Sequence, residues 1–176
     1  QYRLLHAGLS RARIDAVFVT HLHGDHCYGL PGLLSTLALQ QRTAPVTLVG
    51  PEGLRAMLAA IPGAAPADLS FPVRVTEVGE GLTPIPVVYD TDELTVTARP
   101  LEHRTFTMGF RLQERTRPGR FHPERARDLG VPEGPAFARL QAGERVTLDD
   151  GTTVRPDQVL GPPRPGVALA YVTDTR

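Results

Sequence analysis

The sequence predicts an α+β fold in which helices cover β-sheets and an inserted arm interrupts the chain. Three observations indicate this class. Short β-branched and apolar runs alternate with stretches of helical periodicity up to residue 117. The region 118–166 loses that rhythm and is rich in glycine and proline, and a compact apolar run returns at 167–173.

The helical stretches are recognised by apolar spacing and by the residues that end them. Residues 2–9 have the pattern of a short amphipathic helix. Helical spacing recurs over 30–41, where Ala44-Pro45 ends it because a residue before proline avoids the α region. A third helix is predicted over 52–61, and Pro62 stops it.

The predicted strands are short apolar or alternating runs between these helices. Residues 14–20 and 46–49 have the composition of buried strands. Alternation predicts further strands that contain Val73, Val75 and Val78, then Leu94, Val96 and Ala98, then Phe110 and Leu112. The apolar run 167–173 predicts a last buried strand.

These elements predict a core over 1–117, an arm over 118–166 and a core strand that resumes over 167–176. The arm combines many glycines and prolines with seven arginines and seven acids, a composition that predicts no core layer. The chain starts at Gln1 and stops at Arg176, shortly after an apolar strand. We therefore expect an internal piece of a longer domain, with deliberate trimming as the alternative.

Composition excludes several classes of protein. The formal net charge is zero, so no overall basic field points to nucleic acid, although every basic residue is an arginine. The single cysteine, Cys27, excludes an internal disulfide and fits a reducing compartment. No apolar stretch reaches the roughly 20 residues that span a bilayer.

The segment 20–26, Thr-His-Leu-His-Gly-Asp-His, concentrates metal-binding side chains directly after a predicted strand. Side chains alternate in an extended segment, so His21 and His23 can share one ion. Gly24 permits a sharp turn that brings Asp25 and His26 to the same mouth, which favours two adjacent sites. Nitrogen and carboxylate ligands without thiolate suit Zn²⁺ and also admit Mn²⁺, Fe²⁺ or Co²⁺.

Further ligands are expected where other strands end. His103 follows the strand of Leu94–Ala98, and Asp174 follows the last apolar run, so both are expected to extend the site. His6 and His122 follow no strand end and are interpreted as solvated or core residues. Cys27 heads an apolar helix and is interpreted as a small buried hydrophobe.

Several motifs together resemble the ribonuclease Z family of the metallo-β-lactamase superfamily. The segment 20–26 matches the His-x-His-x-Asp-His motif, and Cys-Tyr-Gly-Leu-Pro-Gly-Leu-Leu follows it. The segment 101–110 resembles the family's third-histidine region, and 128–140, with Leu-Gly-Val-Pro-Glu-Gly-Pro, resembles its tRNA-binding flexible arm. The segments 159–166 and 171–176 resemble the approach to a bridging aspartate.

The resemblance implies an αββα sandwich, here partial, and two Zn²⁺ ions per subunit. By position, His21, His23 and His103 would hold one zinc, Asp25 and His26 the second, and Asp174 would bridge them. The family places two more functional histidines downstream of that aspartate. The resemblance also implies a cytoplasmic, bacterial homodimer that acts on precursor tRNA.

The implied reaction is endonucleolytic cleavage at the tRNA 3′ end, which leaves a 3′-hydroxyl, by hydroxide attack on a phosphodiester between two metal ions. Asp25 would orient or deprotonate the water. Because the arm has no net charge, a few positioned residues must contact phosphates, with Arg120, Arg125, Arg127 and Arg139 as candidates.

Two other readings of the sequence stay open. The first is another hydrolase of the same superfamily: a general phosphodiesterase, an arylsulfatase-like enzyme, a thioesterase or a lactonase. The second is a non-catalytic RNA-binding fragment that has kept the fold.

Overall fold

The computed structural model describes residues 2–81 and 86–176, which form two compact units. Unit 1 comprises Gln1–Leu112 and Leu169–Arg176, and unit 2 comprises Gln113–Ala168. The predicted arm, 118–166, lies inside unit 2. The interpretation of Gln1 as a cut end falls outside the described residues.

The helices of both units are short, apart from one of eleven residues. In chain order they are Tyr2–His6 (α1), Gly24–Cys27 (α2), Gly29–Leu39 (α3), Leu54–Ala59 (α4), Pro123–Asp128 (α5), Pro135–Gln141 (α6) and Pro156–Val159 (α7).

The strands form one three-stranded, one four-stranded and one two-stranded sheet. In chain order they are Ala16–Phe18 (β1), Val46–Pro51 (β2), Val73–Val78 (β3), Val87–Asp90 (β4), Leu94–Leu101 (β5), Thr107–Glu114 (β6), Val146–Thr147 (β7), Thr153–Val154 (β8) and Ala168–Tyr171 (β9).

Unit 1 contains the two larger sheets. The first has the order β1-β2-β3 with all strands parallel. The second has the order β4-β5-β6-β9, and its β4–β5 pair is antiparallel. Parallel neighbours require crossovers, and α3 and α4 lie in the connections that make them.

Alternation along the strands creates two apolar layers. Leu48 packs with Leu34 and Leu58 in the layer between the first sheet and helices α3 and α4. The neighbouring Val49 points to the other face and packs with Val96 and Phe110 of the second sheet. The described part of unit 1 therefore shows helices, sheet and sheet, three layers of the predicted αββα order.

Unit 2 has a small apolar core of its own, so the prediction of no core layer in the arm was wrong. Its buried side chains come from several short elements: Ala126, Val131, Leu140, Val146, Val154 and Val159. The glycine and proline content did not reveal this core, because its side chains are single, widely spaced residues. They converge from α5, α6, α7 and the β7–β8 hairpin.

The two chain segments that enter and leave unit 2 pair with each other. The backbone N–H groups of Arg117 and Arg164 each donate to the other's carbonyl, at 2.9 and 3.0 Å. Close to this bridge, a Cβ on Gly119 would collide with the Gly161 carbonyl, so only glycine permits the approach.

Several element predictions need correction. The first helix ends at His6, before Gly8 with its φ of +67°, rather than at residue 9. The strand predicted over 14–20 is only Ala16–Phe18, because the chain must leave the sheet to form the site. Strand β4 was not predicted. β9 was predicted to be buried, but every residue of this edge strand is exposed.

No helix in the described ranges is long and apolar enough to cross a membrane.

Gly134, which precedes α6, offers a test of local strain in unit 2. Its φ of 103° and ψ of −127° are accessible to glycine but strained for alanine. We expect Gly134→Ala to destabilise α6 by about 1–3 kcal/mol, measured by hydrogen exchange at the amide of Leu140.

Gly29→Ala is the matched control, because no atom lies within 4 Å of the added Cβ and Gly29 has no positive φ. Gly29→Ala should change the free energy of hydrogen exchange at the amide of Leu140 by no more than about 0.5 kcal/mol. Equal exchange rates in the two variants would contradict the assigned strain.

Candidate metal centre

The histidine motif lies where β1 leaves the sheet, held between the two sheets of unit 1. The N–H of Val19 donates to the carbonyl of Val49 at 2.8 Å, which continues the pairing with β2. The N–H of Met108 donates to the carbonyl of Thr20 at 2.9 Å, which ties the motif to β6. The backbone that carries the histidines is thus fixed on both sides.

Four of the predicted side chains converge on one point. His21, His23, His103 and Asp174 each offer an atom within 4.8 Å of those of the other three. The ring centroid of His21 lies 4.7 Å from that of His23 and 5.2 Å from that of His103. Residues separated by up to 153 positions in sequence therefore form one compact group.

Backbone contacts explain how His103 and Asp174 reach this point. The N–H of Arg176 donates to the carbonyl of Glu102 at 3.1 Å, which holds the Asp174 segment beside the loop of His103. Asp174 adopts the left-handed conformation, with φ of 44°, which aspartate tolerates better than most residues. This local strain places its carboxylate among the imidazoles.

His26 and Asp25 lie next to this group, on the first turn of α2. The Asp174 Oδ2 atom is 3.2 Å from His26 Nε2 and 3.6 Å from His21 Nε2, so one carboxylate faces both histidines. The Oδ2 atom of Asp25 is 3.4 Å from His26 Nε2, and the Asp25 side chain is 80% exposed. Asp25 thus lies at the open edge of the site.

Burial keeps His21 neutral. Its side chain is fully buried, and this desolvation, together with the nearby imidazoles of His26 and His23, lowers the pKa of His21 below its usual 6.5. The neutral ring retains a lone pair, which is the form that binds a metal ion.

The carboxylate of Asp174 is kept in the charged form. The Thr173 hydroxyl donates to Asp174 Oδ1 at 3.0 Å, and this bond, more than the nearby His26 and His21, lowers the pKa of Asp174. Because Oδ1 is occupied, Oδ2 is the oxygen that faces the histidines.

Two hydroxyls that support the site were not predicted. Thr20 Oγ1 lies 3.0 Å from His21 Nδ1, and both side chains are buried. Thr173 supports Asp174 in the same way. The sequence did contain a signal, because each threonine directly precedes the side chain that it supports.

The donor set fits a metal ion. His21 Nε2 and His103 Nε2 are buried side-chain atoms with no hydrogen-bond partner among the described residues. A buried polar atom that has no hydrogen-bond partner destabilises the folded state by about 1–3 kcal/mol, and a cation at these atoms would remove that penalty. Three imidazole nitrogens and a carboxylate oxygen are ligands that Zn²⁺ accepts.

The other predicted residues lie outside this group. The predicted phosphate-binding arginines, Arg120, Arg125, Arg127 and Arg139, are exposed in unit 2. Arg127 and Arg139 form ion pairs with Glu133 and Glu144, at 2.6 and 3.2 Å.

The remaining histidines and the cysteine behave as predicted. His6 is exposed, and His122 Nδ1 lies 3.0 Å from Glu124. Cys27 is fully buried in the layer beneath α3, where desolvation raises the pKa of its thiol, so its prediction as a small buried hydrophobe is confirmed.

Comparison with known proteins identifies the family. The profile of the beta-lactamase superfamily domain matches residues 1–174. The chain belongs to this superfamily. The α+β class and the superfamily predicted from the motifs are therefore confirmed.

Curated relatives within this superfamily share one name, Ribonuclease Z. The chain is 72% identical over 177 residues to a Ribonuclease Z of Salinibacter ruber, covering all of this chain and 55% of that protein. It is 47% identical over 163 residues to a Ribonuclease Z of Halobacterium salinarum, covering 93% of this chain and 52% of the relative. The chain thus spans about half the length of the curated relatives it matches.

A solved structure agrees with these relatives. Human tRNase Z, short form, superposes with a TM-score of 0.56 at 32% sequence identity, over 65% of this chain and 50% of the human chain. The ribonuclease Z resemblance drawn from the motifs is confirmed by these similarities.

Thr20 allows a test of how the imidazole of His21 is oriented. If Oγ1 accepts the Nδ1 proton, Nε2 is left with its lone pair toward the site. We expect ¹⁵N spectra of the metal-free protein to show His21 protonated at Nδ1. Thr20→Val should lower zinc affinity about 10–100-fold in chelator competition, because such supporting bonds fix ring orientation.

Thr47→Val, in the neighbouring strand β2, is the control for loss of a threonine hydroxyl and should leave zinc affinity unchanged. A His21 ring protonated at Nε2, or equal affinities in the two variants, would contradict the assigned role.

Proposed function

We propose that the complete gene product is a zinc-dependent endoribonuclease that cleaves tRNA precursors at the 3′ end. The observation that carries the proposal is the convergence of His21, His23, His103 and Asp174, in which two buried nitrogens have no hydrogen-bond partner among the described residues. The names of the relatives, Ribonuclease Z and tRNase Z, supply the substrate class. The other hydrolases of the superfamily are less favoured, because the curated relatives named Ribonuclease Z match the chain across both units.

The residues divide between two zinc ions. We assign His21, His23 and His103 to one ion, Asp25 and His26 to the second, and Asp174 to a bridging position. The position of Asp174 Oδ2, 3.6 Å from His21 Nε2 and 3.2 Å from His26 Nε2, supports a carboxylate shared by two centres. Zinc is the metal proposed, while the same donors also accept Mn²⁺, Fe²⁺ or Co²⁺.

The chain's own residues then prepare the reaction. Bound zinc would supply Lewis acidity that polarises the phosphodiester and makes water a better nucleophile. Asp25, exposed at the open edge of the site, would orient that water and accept its proton. Burial holds His21 neutral and the Thr173 hydrogen bond holds Asp174 charged, which are the forms of these two side chains that bind a metal ion. The expected products are a tRNA with a 3′-hydroxyl and a trailer with a 5′-phosphate.

We further propose a homodimer with a cytoplasmic location. Large apolar side chains are exposed on unit 1: Leu5 is 65%, Leu9 59% and Leu39 85% exposed. Leu5 and Leu9 line one small cavity, so these two side chains share a surface. An apolar patch of this kind is typical of a protein–protein interface.

The role of Asp25 is tested by Asp25→Ala in the zinc-loaded complete gene product. We expect kcat for precursor tRNA to fall by about 10²–10⁴-fold, since this is the usual contribution of a positioned general base. The measurement is single-turnover cleavage of a 3′-extended tRNA, with the 3′-hydroxyl identified by ligation.

Asp92→Ala removes an exposed carboxylate in the β4–β5 turn and should leave the rate unchanged. Near-wild-type cleavage by Asp25→Ala would refute the assigned role. Faster hydrolysis of a thioester, lactone or aryl sulfate than of tRNA would favour another superfamily hydrolase.

The role of unit 2 is tested with its arginines. Exposed ion pairs stabilise a protein by less than about 1 kcal/mol. Arg127 and Arg139 can therefore leave their glutamates and bind phosphates instead. Arg120 and Arg125 are also exposed. Changing all four to alanine should weaken tRNA binding and reduce the salt slope of log Kd by about one per lost phosphate contact.

Hydrolysis of bis(p-nitrophenyl) phosphate by this variant should be unchanged, because the small ester needs only the metal centre. Arg74→Ala with Arg99→Ala, both exposed in unit 1, is the control for lost positive charge. Loss of activity on the small ester as well would refute the division of labour.

A further inference from the structure

Unit 1 contains a cavity that has no part in the chemistry described above. Its volume is about 440 Å³, and its lining is Leu22, Pro51, Glu52, Gly79, Glu80, Thr105 and Phe106. This volume lies within the range of about 300–1,000 Å³ that is common for ligand pockets.

The walls of this cavity are continuous with the metal-centre segments. Leu22 lies between His21 and His23 in the motif, and Thr105 and Phe106 follow His103 by two and three positions. The opposite wall is the carboxyl end of β2 and β3, at Pro51, Glu52, Gly79 and Glu80. The segments that carry His21, His23 and His103 therefore also form part of the cavity wall.

The charges of the lining determine which kind of ligand group the cavity can bind. Among the described residues, the lining contains two carboxylates, from Glu52 and Glu80, and no basic side chain. A phosphate would be repelled by the carboxylates, so the RNA backbone belongs at the metal centre and not in this cavity. A neutral group with hydrogen-bond donors and an apolar face matches the lining, because Leu22, Pro51 and Phe106 provide apolar and aromatic surface.

From this lining we infer that the cavity binds one unstacked nucleobase beside the cleaved phosphodiester, and that Glu52 disfavours uracil there. The inference rests on the proposed RNA-cleaving function. Single-stranded bases are commonly read by aromatic side chains and by hydrogen bonds to their Watson–Crick edges. The aromatic surface here is Phe106, and the hydrogen-bond acceptor is the Glu52 carboxylate.

A carboxylate only accepts hydrogen bonds, and this makes the site selective. Guanine offers N1–H and N2–H₂ side by side, while cytosine and adenine each offer an amino group. Uracil offers a single N3–H between two carbonyl oxygens, which the carboxylate repels. The expected order is therefore guanine first, adenine and cytosine next, and uracil last.

Gly79 determines where the Glu52 carboxylate lies. A Cβ at Gly79 would be 2.5 Å from Glu52 Oε1, so the carboxylate occupies space that only glycine leaves free. Gly79 has no positive φ, so alanine fits the backbone there, and the mobile end of Glu52 must yield. Gly79→Ala thus displaces the carboxylate without changing its charge.

The first experiment compares kcat/KM of the zinc-loaded complete gene product on tRNA precursors that differ in one nucleotide. The four bases are placed in turn on the 5′ side and then on the 3′ side of the cleaved bond. At one of these positions we expect uridine to be cleaved about 5- to 100-fold less efficiently than guanosine.

Glu52→Gln should remove this difference, because an amide both donates and accepts, and Gly79→Ala should reduce it. Glu93→Gln, an exposed glutamate in the β4–β5 turn, is the control and should preserve it. Equal kcat/KM for all four bases at both positions, or a preference that survives Glu52→Gln, would overturn the inference.

A second measurement does not depend on cleavage. Guanosine should shift the Leu22 methyl signals of the protein at lower concentration than uridine, and Glu52→Gln should abolish the difference. If no precursor tRNA is cleaved, the proposed function fails, yet this titration still decides the cavity. Equal shifts with both nucleosides, or no shift at Leu22, would overturn the nucleobase site.

Discussion

The arrangement of the site depends on one constraint: a buried imidazole nitrogen has no hydrogen-bond partner in the part of the chain that the structure describes. His21 is fully buried where β1 leaves the sheet, its Nδ1 atom is next to Thr20, and its Nε2 atom faces other imidazoles and Asp174. Folding alone would leave this atom unsatisfied, at a loss of about 1–3 kcal/mol. A cation turns that loss into a gain, so metal binding and the fold around His21 favour each other.

The surrounding strands and loops hold His21 and the neighbouring site residues in this arrangement. The parallel strands β1, β2 and β3 bring their carboxyl ends to one edge, and the pairing of Thr20 with Met108 joins that edge to the second sheet. The hydrogen bond between Arg176 and Glu102 closes the group from the side of Asp174. The same edge carries the cavity beside Leu22, so metal chemistry and recognition of a base are proposed for adjoining surfaces.

The local parts of this picture could be predicted from the sequence, and the long-range parts only partly. The motif at 21–26 predicted a metal site because its residue types and spacing are local properties. His103 and Asp174 were predicted as ligands by the weaker argument that they follow strands. In the structure both lie beside His21. Thr20 and Thr173 were missed although each directly precedes the side chain that it supports, because adjacency alone does not show that the hydroxyl reaches its neighbour. The core of unit 2 escaped prediction for a related reason, since Val131, Leu140 and Val154 show no period that marks one buried face.

The most direct test of the account is anomalous diffraction at the zinc edge from crystals of the zinc-loaded complete gene product. The account predicts a zinc peak about 2.0–2.1 Å from Nε2 of both His21 and His103, with Asp174 also bound. It further predicts a second peak that is ligated by His26. A zinc-loaded crystal in which His21 Nε2 is not bound to metal, or in which zinc lies only at other residues, would contradict the central claim.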